Sequence, residues 1–337
     1  MAGSMIARVF FVLVLAAGAM GAGLWLDYGA FIKGPVPLPE EGTILDIPRG
    51  TSLRGLARRM TDEGILRHPY YFIALAYRQS DQARIKAGEF ELTAGMTPVD
   101  VLARITSGQV VQHPVTLVEG WTFRQAVAAI EAQDRFTGDL SDLSDEALMA
   151  KLGRPGEHPE GRLFPDTYRF PRDTPRLSVL QRAFERMEQV LAEEWAERRE
   201  GLPIDSSYEA LILASIVEKE TGAAHERPEI AGVFVRRLRK GMRLQTDPTV
   251  IYGMGERYEG RIRRADLREA TAYNTYVING LPPTPIALPG RAAIHAVLNP
   301  ADGDSLYFVS RGDGTHVFSA TLDAHNQAVR RYILGDP

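Results

Sequence analysis

The stretch LILASIVEKET, Leu211 to Thr221, carries a carboxylate on a helix that is otherwise apolar or small. At helical spacing Leu211, Ala214, Ser215 and Glu218 share one face, because residues three and four apart are neighbours on a helix. Such a helix is suited to burial, and a stranded buried carboxylate is costly. Glu218 must therefore be paired, hydrogen-bonded or protonated. The same half of the chain holds four polar clusters. They are PEGRLFPDTYRF (Pro159 to Phe170), SIVEKET (Ser215 to Thr221), LQTDPTVIYG (Leu244 to Gly253) and YNTYVINGLPPTPI (Tyr273 to Ile286). Together they mix acids and amides with aromatic rings. That mixture suits a carbohydrate cleft, where rings stack on sugar faces and amides read hydroxyls. Turn and cap roles are also open to Asp166, Asp247 and Asn274, but four clusters beside one odd glutamate favour a site.

The elements that must hold these residues follow from punctuation and periodicity. Gly50, Gly95 and Gly120 each precede Ser or Thr by two residues, then an apolar helical stripe. Ser52, Thr97 and Thr122 read as helix N-caps. The strand-like runs TILDIP, EFELTA and PVTLVE come before them. The shared unit is strand, glycine turn, capped helix, at spacings too uneven for a solenoid. PYYFIALAYRQ, from Pro69, completes a strand–helix–helix–strand unit. Beyond Ser144 the chain is helix-rich. Leu177 to Arg199 predicts a long amphipathic helix that buries Leu180, Phe184, Met187, Leu191 and Trp195. ERPEIAGVFVRRLRKG predicts another, SLYFVS and THVFSA a hairpin about RGDG, and LDAHNQAVRRYI a final helix.

The chain has 337 residues, a net charge of −4 and no cysteine. The charge argues against a nucleic-acid binder. The missing thiols exclude a disulfide framework, a thiolate metal site and a cysteine nucleophile. Val9 to Leu26 is uncharged over 18 residues and long enough to nearly span a bilayer core of roughly 30 Å. Arg8 before it and Asp27 after it put the short tail in the cytoplasm and the body outside. A cleavable signal peptide ending near Ala17 and Ala19 is the rival account, but Trp25 and Tyr28 sit where interfacial aromatics belong. Three prolines between Gly34 and Gly42 then make a semi-stiff spacer.

The runs EGRLFPDTY, ASIVEKET, RPEIAGVFVRRL, LQTDPTVIYG, YNTY, GLPPTPI and LYFV, in this order, closely resemble the YceG-like endolytic murein transglycosylases. The resemblance covers nearly the whole chain. It implies an α+β fold in four parts. Residues 1–33 are tail and transmembrane anchor, 34–41 the proline-rich spacer, 42–112 a LysM-like subdomain, and 113–337 a lysozyme-like, helix-rich catalytic domain with a small hairpin. The implied reaction cuts the bond between N-acetylmuramic acid and N-acetylglucosamine within nascent peptidoglycan strands. The muramic acid C6 hydroxyl closes on its own C1 and leaves a 1,6-anhydro end.

That chemistry accommodates a lone glutamate. Ordinary glycosidases use two carboxylates, but an internal nucleophile needs no positioned water. One group can protonate the glycosidic oxygen and then deprotonate the C6 hydroxyl, provided that its pKa is raised. Glu218 is the expected acid/base. Glu220, about 200° round the helix, and Lys219 are expected to face solvent or a salt bridge. The resemblance puts Gln245, Thr246, Asp247, Tyr273, Asn274 and Tyr276 around the cleft as substrate-binding residues, with Gln245 or Asn274 holding the N-acetyl group or stabilising charge at C1. Asp247 as a second carboxylate would make the enzyme a hydrolytic muramidase. Glu160 and Asp166 are cleft candidates or parts of a turn ending at Pro165.

The basic run Arg236, Arg237, Arg239, Lys240 and Arg243 reads as cations at a helix C-terminus, in preference to contacts with substrate peptide-stem carboxylates. HERPE at His225 lacks the second His of a zinc motif, with Glu at 229. No metal or cofactor is expected. The expected partners are glycan strands and membrane-bound peptidoglycan synthases, at the cytoplasmic (inner) membrane with the body on the periplasmic side. A non-catalytic glycan-binding scaffold is the rival from another class.

Overall fold

The computed structural model describes residues 2–79 and 85–335. The chain divides into two compact units, 1–113 and 114–337.

The first unit begins with α1 (Ala2–Lys33). Its Met5–Lys33 portion is long and apolar enough to cross a membrane, and none of its most apolar window is buried in the protein. Only the C-terminal end packs inward, where Phe31 and Ile32 lie against the unit's core. Strands β1 (Thr43–Ile47) and β2 (Gly88–Leu92) pair antiparallel, with Thr43 opposite Leu92. Helices α2 (Leu53–Asp62) and α3 (Pro69–Arg78) lie between them in sequence, and α4 (Pro98–Ser107) follows. This is the expected strand–helix–helix–strand order. The N-caps form as their types require. Ser52 accepts from the Gly55 N–H, and Thr97 and Asp100 make a reciprocal capping box. Leu45, Phe72, Phe90 and Leu102 are buried between sheet and helices.

In the second unit β3 (His113–Thr116) pairs with β4 (Thr167–Phe170). Between them lie α5 (Phe123–Glu131), capped by Thr122 as expected, and α6 (Asp145–Lys151). The long helix α7 (Arg176–Ala196) buries Leu180, Phe184, Met187 and Leu191. Then come α8 (Ser207–Glu220), α9 (Arg227–Arg239), α10 (Asp247–Met254) and α11 (Arg291–Leu298). The antiparallel hairpin β5 (Tyr307–Ser310) and β6 (His316–Ser319) turns at Arg311 to Thr315, and α12 (Leu322–Val329) follows.

Helix α8 is central. Every residue from Ala210 to Val217 is buried, packed among α7, α9 and α11. It therefore has no solvent face over its middle two turns. Ser215 satisfies its hydroxyl there by donating to the Ile212 carbonyl and accepting from the Ile286 N–H (2.9 Å).

Candidate active site

The two glutamates at the end of α8 lie in different surroundings. The Glu218 side chain is 5% exposed. One oxygen accepts from the Arg227 guanidinium at 3.0 Å and the other from the Gly290 N–H at 2.9 Å. Burial raises its pKa, while the Gly290 N–H and Arg227 oppose the rise. The side chain of Glu119 lies against Gly290 and approaches Arg227 at 3.7 Å. A Cβ at position 290 would sit 1.9 Å from the Glu119 Oε1, so glycine allows this close approach.

Glu220 was expected to face solvent or a salt bridge, and that expectation fails. Its carboxyl accepts from the Thr246 hydroxyl and lies on the wall of a cavity of about 470 Å³. Burial, the largest cause, pushes its pKa to about 7. The Thr246 hydrogen bond opposes this, the Asp247 charge adds to it, and His316 and Arg237 offset part. The 200° argument fails because the segment that carries Thr246 covers the side of α8 that periodicity assigns to solvent, while Lys219 between the two glutamates stays exposed.

The segment after α9 supplies the opposite wall. Gln245 adopts φ of 54°, a left-handed conformation uncommon for a residue with a side chain. Its N–H bonds to the Thr275 carbonyl. Thr246 is anchored by its N–H to the Thr275 hydroxyl (3.0 Å), which also bonds Thr249 (2.9 Å). With its backbone held, the Thr246 hydroxyl is free to donate to Glu220. The Tyr276 hydroxyl donates to Asp247 at 2.7 Å. Gln245, Thr246, Asp247 and Tyr276 thus line one cavity with Glu220.

Tyr273 and Asn274 do other work. Tyr273 bonds Thr284 at 2.8 Å and packs edge-on against Tyr252. Asn274 is 1% exposed, and its amide donates to the Asp266 and Glu269 carbonyls and accepts from the Tyr276 N–H. Both amide protons are spent on the backbone, so Asn274 has no donor left for an N-acetyl group. It shapes the turn that presents Tyr276.

Glu160 is 4% exposed and accepts from the Phe123 and Gly161 N–H groups and from the Tyr252 hydroxyl. Burial raises it to about 7. It is a buried tie between α5 and α10. Asp166 is exposed, accepts from the Thr167 N–H at 2.7 Å, and borders a separate groove beside α7.

Arg236, Arg237 and Arg239 lie in the last turn of α9, where cations at a helix C-terminus were expected, and their guanidinium groups also reach other segments. Arg236 donates to the Ser305 and Ala301 carbonyls, Arg239 to Gly201, and Arg243 to the Tyr276 carbonyl. Buried Arg237 donates to the carbonyls of Leu306 (2.6 Å), Arg243 (3.2 Å) and Leu244 (2.7 Å). It ties the Gln245 segment to the β5 strand. In the HERPE segment, Glu226 accepts from the His316 backbone and ring.

Sequence reasoning also missed part of the wall. Tyr307 on β5 and Leu322, His325, Asn326 and Val329 on α12 line the same cavity. The signal was present: 322, 325, 326 and 329 follow the i, i+3, i+4, i+7 spacing of one helix face.

The sequence profile of the YceG-like family matches residues 45–331 of this chain. The chain belongs to the YceG-like family. A Bacillus subtilis protein named endolytic murein transglycosylase is 30% identical over 324 residues, covering 91% of this chain and 89% of its own length. A protein of the same name from Streptococcus pneumoniae is 25% identical, covering 93% of this chain and 63% of its own length. A crystal structure of a YceG-like protein from Listeria monocytogenes is 28% identical with a TM-score of 0.55, covering 86% of this chain and 99% of that one.

Proposed function

We propose that this YceG-like chain is an endolytic peptidoglycan lytic transglycosylase with Glu220 as its single acid/base. The observation that carries the assignment is the Glu220 carboxyl, raised to about 7, on the wall of the cavity that also holds Gln245, Asp247 and Tyr276. A carboxyl near that value keeps its proton close to neutral pH and can release it. The sequence expectation named Glu218, but the geometry supports Glu220 better. Glu218 has both oxygens engaged by Arg227 and Gly290, which favour its charged form, and it is not on this cavity's wall.

In this reading Glu220 gives its proton to the glycosidic oxygen as the C1–O bond breaks. The muramic acid C6 hydroxyl then attacks C1 and passes its proton back to Glu220. The bond to O6 replaces the bond to the leaving oxygen, no water enters, and the catalyst is restored. Asp247, with Tyr276 donating to it, supplies negative charge against the positive charge that develops at C1. Gln245 is the amide available to an N-acetyl group, since Asn274 is committed to backbone.

Asp247 on the same wall supports a second reading, a hydrolytic muramidase with two carboxylates. The remaining rival is a non-catalytic glycan-binding scaffold. Around the chemistry we place the other expectations: α1 as a single-pass anchor in the inner membrane with the body on the periplasmic side, the LysM-like unit as a glycan binder or spacer, and membrane-bound synthases as partners. Tethering limits the height at which strands are met and thereby sets where growing strands are cut.

The test digests purified glycan strands with wild type, Glu220→Gln and Glu218→Gln and weighs the products. Anhydro ends, lighter than hydrolysed ends by one water, from wild type and none from Glu220→Gln support the reading. Hydrated ends favour the muramidase, and no product from wild type favours the scaffold. A fully active Glu220→Gln removes this residue from the mechanism.

A further inference from the structure

The wall of the Glu220 cavity built by the C-terminal part of the chain has no role in the mechanism above. It is more structured than packing alone requires. The rings of Tyr307 and His325 stack with centroids 5.2 Å apart and planes 24° apart. Arg237, whose backbone bonds fix the start of β5, lies with its guanidinium 5.1 Å from the Tyr307 ring centroid. The stack is therefore held in place before any ligand arrives.

Two polar groups on this wall lack protein partners among the described residues. The Nδ1 of His325 is enclosed and has no hydrogen-bond partner. An enclosed atom is out of a ligand's reach, so the nitrogen that His325, on the cavity wall, can offer is Nε2, which forms no hydrogen bond with the described residues. Burial and the Arg237 charge lower the His325 pKa, so the ring is neutral at neutral pH. A neutral imidazole offers one donor and one acceptor, as a sugar hydroxyl does. Asn326 is exposed, lines the cavity, and its side chain forms no hydrogen bond with the described residues. Leu322 and Val329 add apolar surface on the same helix face. A ring with a C–H face, a hydroxyl rim and an amide substituent matches this combination.

We propose that Tyr307, His325 and Asn326 form a saccharide platform that holds one N-acetylhexosamine ring of the substrate beside Glu220. The proposal rests on the reading of this cavity as the site of glycan cleavage. His325 presents its Nε2 to a ring hydroxyl, and the Asn326 amide pairs with the N-acetyl group. Both act in binding and transfer no proton.

The experiment uses the full chain in detergent, carrying Glu220→Gln to stop turnover. It is titrated calorimetrically with an uncrosslinked tetrasaccharide of alternating N-acetylglucosamine and N-acetylmuramic acid. Added Asn326→Ala or His325→Ala is expected to weaken binding about fivefold or more, the loss of one ligand hydrogen bond. Asp323→Ala, exposed on the same helix and off the cavity wall, should leave affinity unchanged. Cellotetraose, which lacks the N-acetyl group, should bind more weakly and be indifferent to Asn326→Ala. Thermal unfolding distinguishes a loosened helix from a lost contact, and Asn326→Ala should keep the parent melting temperature. Unchanged affinity in both alanine variants, or no binding of the tetrasaccharide by the parent, overturns the platform. Separately, turnover retained by Glu220→Gln overturns the acid/base assignment while the titration still reports on this wall.

Discussion

The Thr246 hydroxyl offers a way to move the Glu220 pKa without removing the carboxyl. It donates to Glu220 from a residue 2% exposed, and its backbone is held separately by Thr275. Thr246→Val keeps the β-branched shape and deletes the donor. A hydrogen bond to a charged group contributes about 1.5–3 kcal/mol, and one pH unit corresponds to about 1.4 kcal/mol. The ceiling is therefore a rise of about 1–2 pH units. Water entering the cavity replaces part of the lost bond, so the expected rise is about 1 unit. The sign follows from the chemistry. The general acid must begin protonated, so activity falls as pH rises through the Glu220 pKa of about 7. Losing a bond that favours the carboxylate moves that descending limb upward, towards pH 8. The assay is the pH dependence of kcat/KM for release of anhydro ends from glycan strands, with folding checked by circular dichroism. Glu218→Gln serves as comparison and should leave the limb where it is. A limb that stays in place or moves down in Thr246→Val, or moves instead in Glu218→Gln, refutes Glu220 as the titrating acid.

Two further predictions concern stability. Glu160 is raised from 4.5 to about 7 by burial, so the folded state binds its proton more tightly than the unfolded chain. Its contribution is fully present below about pH 4.5 and is lost as pH rises through 7. At about 1.4 kcal/mol per pH unit the loss is about 3 kcal/mol. Glu160→Gln should therefore match wild type near pH 4.5 or below and exceed it at pH 8 in denaturant unfolding, with equal pH dependence of the two proteins as the contrary result. Arg237→Met removes the donors to three carbonyls. It should lower stability by about 3 kcal/mol and depress activity by freeing the Gln245 segment; a melting temperature within a degree of wild type would argue against Arg237 as that tie.

Much of the chain was legible because local rules suffice for it. The caps at Ser52, Thr97 and Thr122, the helix α7, the hairpin about Arg311 to Gly314 and the apolar length of α1 each depend on residues close in sequence. The motifs also marked Gln245, Thr246, Asp247 and Tyr276, which do meet in one cavity. Asn274 misled because an amide beside tyrosines looks the same whether it faces a ligand or closes a turn.

The sequence by itself determined that α8 would be buried, that its end would carry acids, and which family order surrounds it. Only the tertiary structure gave two glutamates one lysine apart their different surroundings. Helical periodicity separates a wet side from a dry one, and α8 has no wet side over Ala210 to Val217. The environment of each carboxyl is then set by whatever segments arrive from elsewhere: Arg227 and Gly290 at Glu218, Thr246 at Glu220. Tyr307 and His325 come from still more distant segments. Their meeting depends on packing across the whole second unit, which no spacing along the chain records.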